Sequence, residues 1–149
     1  MQHIPPLTKM SETLRECREI LGASCEMNAD SCLLQRCSSM LEVLLQATKN
    51  LCEKATGPQT PVAKFELLTG TDALFNGIDV ESRTVKAAIP DVDDVMTKVV
   101  FLRRSPGFRK LLSDVLHGVL IEQDVDWVMV PLLRDLVVVL EEFRALIPA

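Results

Sequence analysis

The sequence is poor in the residues on which most catalytic sites depend. Its only histidines are His3 and His117. His117 shares a polar helix face with Ser113 and Asp114, and Asp114 is close enough in sequence to touch it. A general base needs a nucleophile beside it, and the chain supplies none in an evident arrangement. It also lacks a Gly-rich phosphate-binding motif. We therefore expect no enzymatic activity and no cofactor.

No residue spacing predicts a metal site or a disulfide framework. The cysteines are odd in number and stand at positions 17, 25, 32, 37 and 52. They form no Cys-x-x-Cys pair of the kind that zinc sites commonly use. Asp91, Asp93 and Asp94 resemble half of a calcium loop, but the glycine and the distal glutamate of such a loop are missing. We expect no bound metal and reduced thiols, as in a cytoplasmic or nuclear protein.

The sequence also lacks a large charge excess and a long uninterrupted apolar run. Its net charge of −5 predicts no general affinity for nucleic acid or for an anionic membrane. Arg134 and Asp135 interrupt the longest apolar stretch, which argues against a membrane-spanning helix. The first residues lack the basic and apolar regions of a targeting signal. We expect no nucleic-acid partner and no membrane partner.

The chain does contain enough apolar material for a packed core. Its 149 residues correspond to about one domain, and 48% of them are apolar. In the stretch 126–147, apolar residues recur at alternating spacings of four and three, which predicts one face of an α-helix. That face consists of Met129, Leu133, Leu136, Leu140, Phe143 and Ile147. A helix this apolar needs several neighbours, so we place it in the middle of a single helical domain over 1–149.

Capping and breaking residues divide the chain into predicted helices. These helices span 8–22, 30–54, 61–68, 80–89, 106–122 and 124–147. Gly70 is expected to end the third helix, and Ser105-Pro106 is a strong start for the fifth. Gly118 is expected to weaken that fifth helix by up to ~1 kcal/mol relative to alanine. Pro131 is expected to kink the last helix or to delay its regular part.

The segment 96–102 is compatible with two structures. Its sequence MTKVVFL contains four consecutive apolar residues, two of them β-branched, so it could form a short strand or a helix. The predicted fold class is therefore mainly α. We expect a compact helical bundle with a short β element near 97–102 as one alternative, and with extra helices at both ends.

One local basic patch surrounds a predicted helix start. Arg103, Arg104, Arg109 and Lys110 flank Ser105, where backbone N–H groups and cations could together hold a carboxylate or a phosphate. Phosphorylation of Ser105 would add charge beside the arginines. The alternative is a solvated turn whose charges only keep the protein soluble.

Two short motifs in the middle of the chain are similar to those of a known module. Leu44-Leu45…Asn50-Leu51 is followed by Lys64-Phe65-Glu66-Leu67-Leu68…Asp72…Phe75. A helix, the apolar segment 98–102, a basic turn and another helix come next. Over 41–112 this order resembles the PUB domain, a peptide-binding module of cytoplasmic peptide N-glycanase and other ubiquitin-pathway proteins. Glu66 stands where the family usually has arginine, and Asp72 where it has asparagine.

The resemblance implies a non-catalytic adaptor that binds an extended C-terminal peptide. In PUB domains the ligand is notably the acidic tail of the valosin-containing-protein AAA ATPase. By position, the resemblance predicts that six residues line the peptide groove: Asn50, Lys64, Phe65, Leu68, Asp72 and Phe75. Lys64 could meet acidic side chains, whereas Asp72 would repel them.

Two other functions remain open from the sequence. The chain could be a structural subunit of a larger complex, which it would contact through helices 8–22 and 126–147. A weaker alternative is a Bcl-2-like or death-fold bundle, which would have no strand at 97–102.

Overall fold

A computed structural model describes residues 29–147, and the helix predicted at 8–22 lies outside them. The described part of the chain is mainly helical, which confirms the coarse fold class. Its α-helices are α1 (Ala29–Thr56), α2 (Pro61–Ala88), α3 (Asp93–Arg103), α4 (Pro106–Leu116) and α5 (Asp126–Ala145). A 3-10 helix at Pro90–Val92 joins α2 to α3.

Helix α5 is central, as its apolar pattern predicts. It packs most extensively against α1 and also contacts α3 and α4. Seven of its side chains are buried: Met129, Leu132, Leu133, Leu136, Val139, Leu140 and Phe143. Pro131 lies inside α5 without delaying its start. Val125 is the N-cap residue of α5, and no side chain makes a capping hydrogen bond there.

Helix α2 runs without interruption where a break was predicted between 68 and 80. At its start, the Thr60 side chain accepts a hydrogen bond from the Ala63 N–H, and Pro61 fills the first helical position. Gly70 costs the helix about 1 kcal/mol relative to alanine. Burial on both sides of this glycine outweighs that cost. The buried apolar side chains of α2 are Leu67, Leu68, Ala73, Leu74, Phe75, Ile78 and Val85.

The segment 97–102 is helical, so the β element is wrong for this chain. It belongs to α3, in which Val95 and Val99 are four residues apart and buried on the same face. Asp93 and Asp94 lie in the first turn, where their negative charge interacts favourably with the helix dipole. The β preference of Val99 and Val100 amounts to only a few tenths of a kcal/mol in a helix, and packing overrides it. No strand occurs anywhere between residues 29 and 147.

Helix α4 begins after Ser105, as predicted, but it ends at Leu116 rather than at 122. Gly118 has a φ of 74° and follows the helix in the left-handed conformation. The Val119 N–H donates to the Asp114 carbonyl at 2.8 Å, and the Gly118 N–H donates to the Val115 carbonyl at 3.1 Å. This pair of bonds is a Schellman motif. Gly118 therefore terminates α4 instead of weakening its interior.

Candidate interaction surface

The segment 117–125 joins α4 to α5 and is fastened to the start of α2. The Lys64 ammonium donates to the carbonyl oxygens of Ile121 at 2.8 Å and Glu122 at 3.4 Å. The Val125 N–H donates to the Gln59 side-chain oxygen at 2.6 Å. Ile121 and Val125 are both buried. These contacts fix the path of a segment that has no regular secondary structure of its own.

Large apolar side chains project from this anchored segment and from its neighbours. Leu120 is 65% exposed, Trp127 is 64% exposed, and Val119 and Phe65 are each about half exposed. We call these four residues the apolar loop surface. Because α4 ends before Gly118, Val119 and Leu120 lie in the connecting segment rather than on the helix.

Two grooves adjoin along Val119 and Leu120. The first has a volume of about 170 Å³ and lies between the start of α2 and the connecting segment, with Pro61 and Phe65 in its wall. The second has a volume of about 480 Å³ and lies between α4 and α5, with Trp127 in its wall. Val119 and Leu120 line both grooves, so the two grooves form one continuous apolar surface.

A third groove lies between α3 and α5. Its volume is about 600 Å³, and Phe101, which is 79% exposed, forms part of its wall with Pro131. Arg104 and Asp135 also line this groove. Val128 lines both this groove and the second, so apolar surface extends from the start of α2 to α3.

The structure brings only part of the predicted peptide site together. Lys64 and Phe65 line the first groove. Leu68 and Phe75 are fully buried, so they offer no side-chain surface to a ligand in this conformation. The Phe75 ring packs against the Phe108 ring with 5.8 Å between centroids, which is a core contact.

The remaining two members of that predicted site are also accounted for. Asn50 is exposed on α1, where its side-chain oxygen accepts a hydrogen bond from Gln46 at 2.9 Å. Asp72 is half-buried on α2. Neither residue lines any of the three grooves. A peptide-binding role for these two positions stays a prediction.

Lys64 is buried, whereas the resemblance implies a charge that is exposed to a peptide. Its side chain is only 6% exposed, and its ammonium is directed at the two backbone carbonyls of the connecting segment. A buried ammonium with partners is held in place, because losing them would leave a charge without hydrogen bonds. Lys64 therefore directs its charge at the connecting segment, and its contact with an acidic peptide stays a prediction.

The predicted anion patch is divided among several partners. The Arg103 guanidinium donates to the Asn76 side-chain oxygen, and the Lys110 ammonium pairs with Asp114 at 3.4 Å. Ser105 is half-buried at the start of α4, and its hydroxyl makes no capping bond. The other two cations of the patch, Arg104 and Arg109, are exposed and have no side-chain partner among residues 29–147. Anion binding and phosphorylation at Ser105 stay predictions.

The His117 ring is held through its Nδ1 atom by Ser113, and Asp114 does not pair with it. Its Nδ1 lies 2.7 Å from the Ser113 carbonyl oxygen and 3.4 Å from the Ser113 hydroxyl. A nitrogen so close to a carbonyl oxygen must carry the proton and donate it, so it cannot accept the hydroxyl proton. The Asp114 carboxylate pairs with Lys110 instead of orienting His117. Within 29–147 no cluster of three or more metal-binding side chains occurs.

The described thiols are Cys37 and Cys52, and both are free. Cys37 lies in the core, where burial raises the pKa of its thiol. A buried thiol that resists ionisation is a packing residue rather than a nucleophile.

No family model matches the chain, and comparisons with curated proteins and with solved structures find no match either. Among the helices from Ala29 to Ile147, none is both long and apolar enough to cross a membrane.

Proposed function

We propose that this protein is a non-catalytic interaction module, an adaptor that binds another polypeptide through the apolar loop surface. The observation that carries the proposal is the exposure of Phe65, Val119, Leu120 and Trp127 along two adjoining grooves. Isolated exposed apolar side chains are ordinary, whereas a contiguous apolar patch is typical of a binding surface.

The way in which this surface is held supports the same proposal. Burying a side chain such as Leu120 is worth about 1.5–3 kcal/mol relative to exposing it. Val119 and Leu120 are exposed, so the connecting segment lacks the stabilisation that their burial would provide. Hydrogen bonds from Lys64 and to Gln59 nevertheless hold this segment in one path. A preorganised apolar surface loses less conformational entropy when a partner binds than a mobile loop would.

The narrower expectation from the PUB resemblance is an acidic C-terminal tail of an AAA ATPase in the ubiquitin pathway. It remains a proposal with less support than the general one. The strand that the resemblance implies is part of α3, and Lys64 is turned toward backbone carbonyls. Peptides of this acidic class therefore belong in the experiment as one of the competing ligand types.

A selection from a phage-displayed peptide library tests the proposal. The wild-type protein should enrich ligands that fail to bind Leu120→Asp, because the new carboxylate would be desolvated against the ligand. Val80→Asp is the matched control, since Val80 is 67% exposed on α2 and lines none of the three grooves. Ligands should bind this control as they bind wild type. Absence of enrichment, or equal binding to Leu120→Asp, would contradict the proposal.

The alternative is a structural subunit of a larger complex. The third groove favours it, because Phe101 is the most exposed large apolar side chain in the described part of the chain. Analytical ultracentrifugation of the lone chain separates the two functions. A well-behaved monomer supports the module, whereas self-association that Phe101→Asp abolishes supports the subunit.

A further inference from the structure

We infer that the partner of the apolar loop surface is an amphipathic helix whose apolar face is flanked by lysine or arginine. This inference rests on the proposed function and adds the chemistry of the partner to it. It follows from the charges that border the two grooves and from the hydrogen bonds of the connecting segment.

The charges beside the grooves are mainly negative. Glu122, Asp124 and Asp126 are exposed within five consecutive residues, and their carboxylates form no ion pair with any residue in 29–147. Glu122 lines the second groove beside Trp127. Unpaired carboxylates at the edge of an apolar surface attract a cationic partner and repel an acidic one.

The nearby cations do not cancel this negative charge. Lys64 and Lys110 are the cations that line the first two grooves. The Lys64 ammonium is buried and bonded to carbonyls, and the Lys110 ammonium pairs with Asp114. Arg109 is exposed on α4 but lines neither groove. The charged residues that line the two grooves are thus Lys64, Lys110, Asp114 and Glu122, of which only Glu122 has no partner among residues 29–147. Asp124 and Asp126, close to Glu122 in sequence, add two further exposed carboxylates.

The backbone of the surface favours a helix over an extended peptide. Extended ligands usually pair with the edge of a sheet, and the described chain has no strand. The carbonyls of Ile121 and Glu122 and the N–H of Val125 already have hydrogen-bond partners. A helix brings its own backbone bonds, and side chains at i and i+4 could enter the two grooves on either side of Val119 and Leu120.

Trp127 reports binding at this surface directly, because it is the only tryptophan in the chain. The probes are two tryptophan-free helical peptides with leucine at i, i+4 and i+7. One carries lysine beside the leucine face, and its twin carries glutamate at the same positions. Titration of full-length protein with the lysine peptide should shift Trp127 emission to shorter wavelength, and added salt should weaken the binding. The glutamate peptide should bind more weakly.

A charge-matched pair of variants separates local attraction from the overall negative charge. Glu122→Gln with Asp124→Asn should weaken the lysine peptide about fivefold. Asp79→Asn with Asp91→Asn removes the same charge from exposed positions, and Asp79 lies about 27 Å along α2 from Pro61. This control should change the affinity less than about twofold. Equal weakening by both variants would overturn the inference.

The outcomes keep the inference and the proposed function apart. Preference for the glutamate peptide overturns the inference but leaves a peptide-binding module in place. Failure of both peptides to shift Trp127 also overturns the inference. The proposed function itself fails only if the display selection, too, yields no ligand that depends on Leu120.

Discussion

Lys64 illustrates how one buried charge organises a surface at a distance from its own helix. Its ammonium reaches from α2 to two carbonyls of a segment that lies more than fifty residues later in the chain. The hydrocarbon part of its side chain packs in the interior while the charge meets oxygen atoms. The apolar loop surface depends on this contact, because no regular secondary structure holds residues 119–125.

Replacing Lys64 with methionine should therefore destabilise the protein. The change keeps the approximate length of the side chain but leaves the Ile121 and Glu122 carbonyls without their donor. We expect the free energy of unfolding in urea to fall by about 1–3 kcal/mol. Lys49→Met is the control, because the Lys49 side chain is half exposed and its ion pair with Glu141 is weak, with 4.0 Å between the charged atoms. That control should change stability by less than about 1 kcal/mol, and an equal effect of both substitutions would contradict the account.

Gly118 fixes where α4 ends, and its substitution should show this. Its φ of 74° is unfavourable for a residue with a Cβ, although no atom would clash with that Cβ. Gly118→Ala should lower the free energy of unfolding by about 1–2 kcal/mol through backbone strain alone. Gly57→Ala meets only ordinary contacts at 3.6 Å and 3.7 Å and should be close to neutral. Equal thermal stability of Gly118→Ala and wild type would show that Gly118 is not the terminator.

Residue patterns show why this terminator is hard to predict. Val119 and Leu120 continue the helical spacing of Val115 and Leu116, so the sequence resembles a longer buried helix. In the structure Leu116, Val119 and Leu120 are all exposed. Apolar side chains at a binding surface and in a core have the same spacing, and only tertiary packing separates them. The glycine was the available signal, because glycine after an apolar run commonly ends a helix.

At the scale of elements, the helices with the strongest periodicity are the ones that the sequence predicts best. The buried faces of α1 and α5 follow their apolar spacing closely. Predictions failed at α2 and α3, where Gly70 and two valines suggested a break and a strand. Local propensities of up to about 1 kcal/mol lost there to burial of several side chains. The burial depends on neighbouring elements that a local pattern does not reveal.

The central position of α5 makes a sharp prediction about its two sides. Leu136 is fully buried against neighbouring helices, whereas Val138 on the same helix is mostly exposed. Leu136→Ala should reduce the free energy of unfolding by about 2–5 kcal/mol, because it removes buried methyl groups and leaves a cavity. Val138→Ala should change it by less than about 0.5 kcal/mol. Similar urea midpoints for the two variants would contradict the central placement of α5.

At the scale of the whole molecule, a helical core supports one continuous apolar surface on the side of α4 and the connecting segment. The composition could predict a helical domain with little catalytic equipment. It could not predict the surface, because Phe65 and Trp127 lie far apart in sequence and line two adjoining grooves only in the folded chain. The contacts of Lys64 and Gln59 hold the connecting segment between these grooves. The sequence likewise could not predict that Glu122, Asp124 and Asp126 lie near the grooves, which is the reason these carboxylates matter for binding.

Amide chemical-shift mapping with a ligand enriched by the wild-type protein tests the central claim most directly. The account predicts that the largest shifts fall on Phe65, Val119, Leu120 and the indole N–H of Trp127, with small shifts at Val80. It also predicts that Leu120→Asp abolishes them while its own spectrum remains that of a folded protein. Shifts concentrated on α1 or around Val80, with those four residues unmoved, would contradict it.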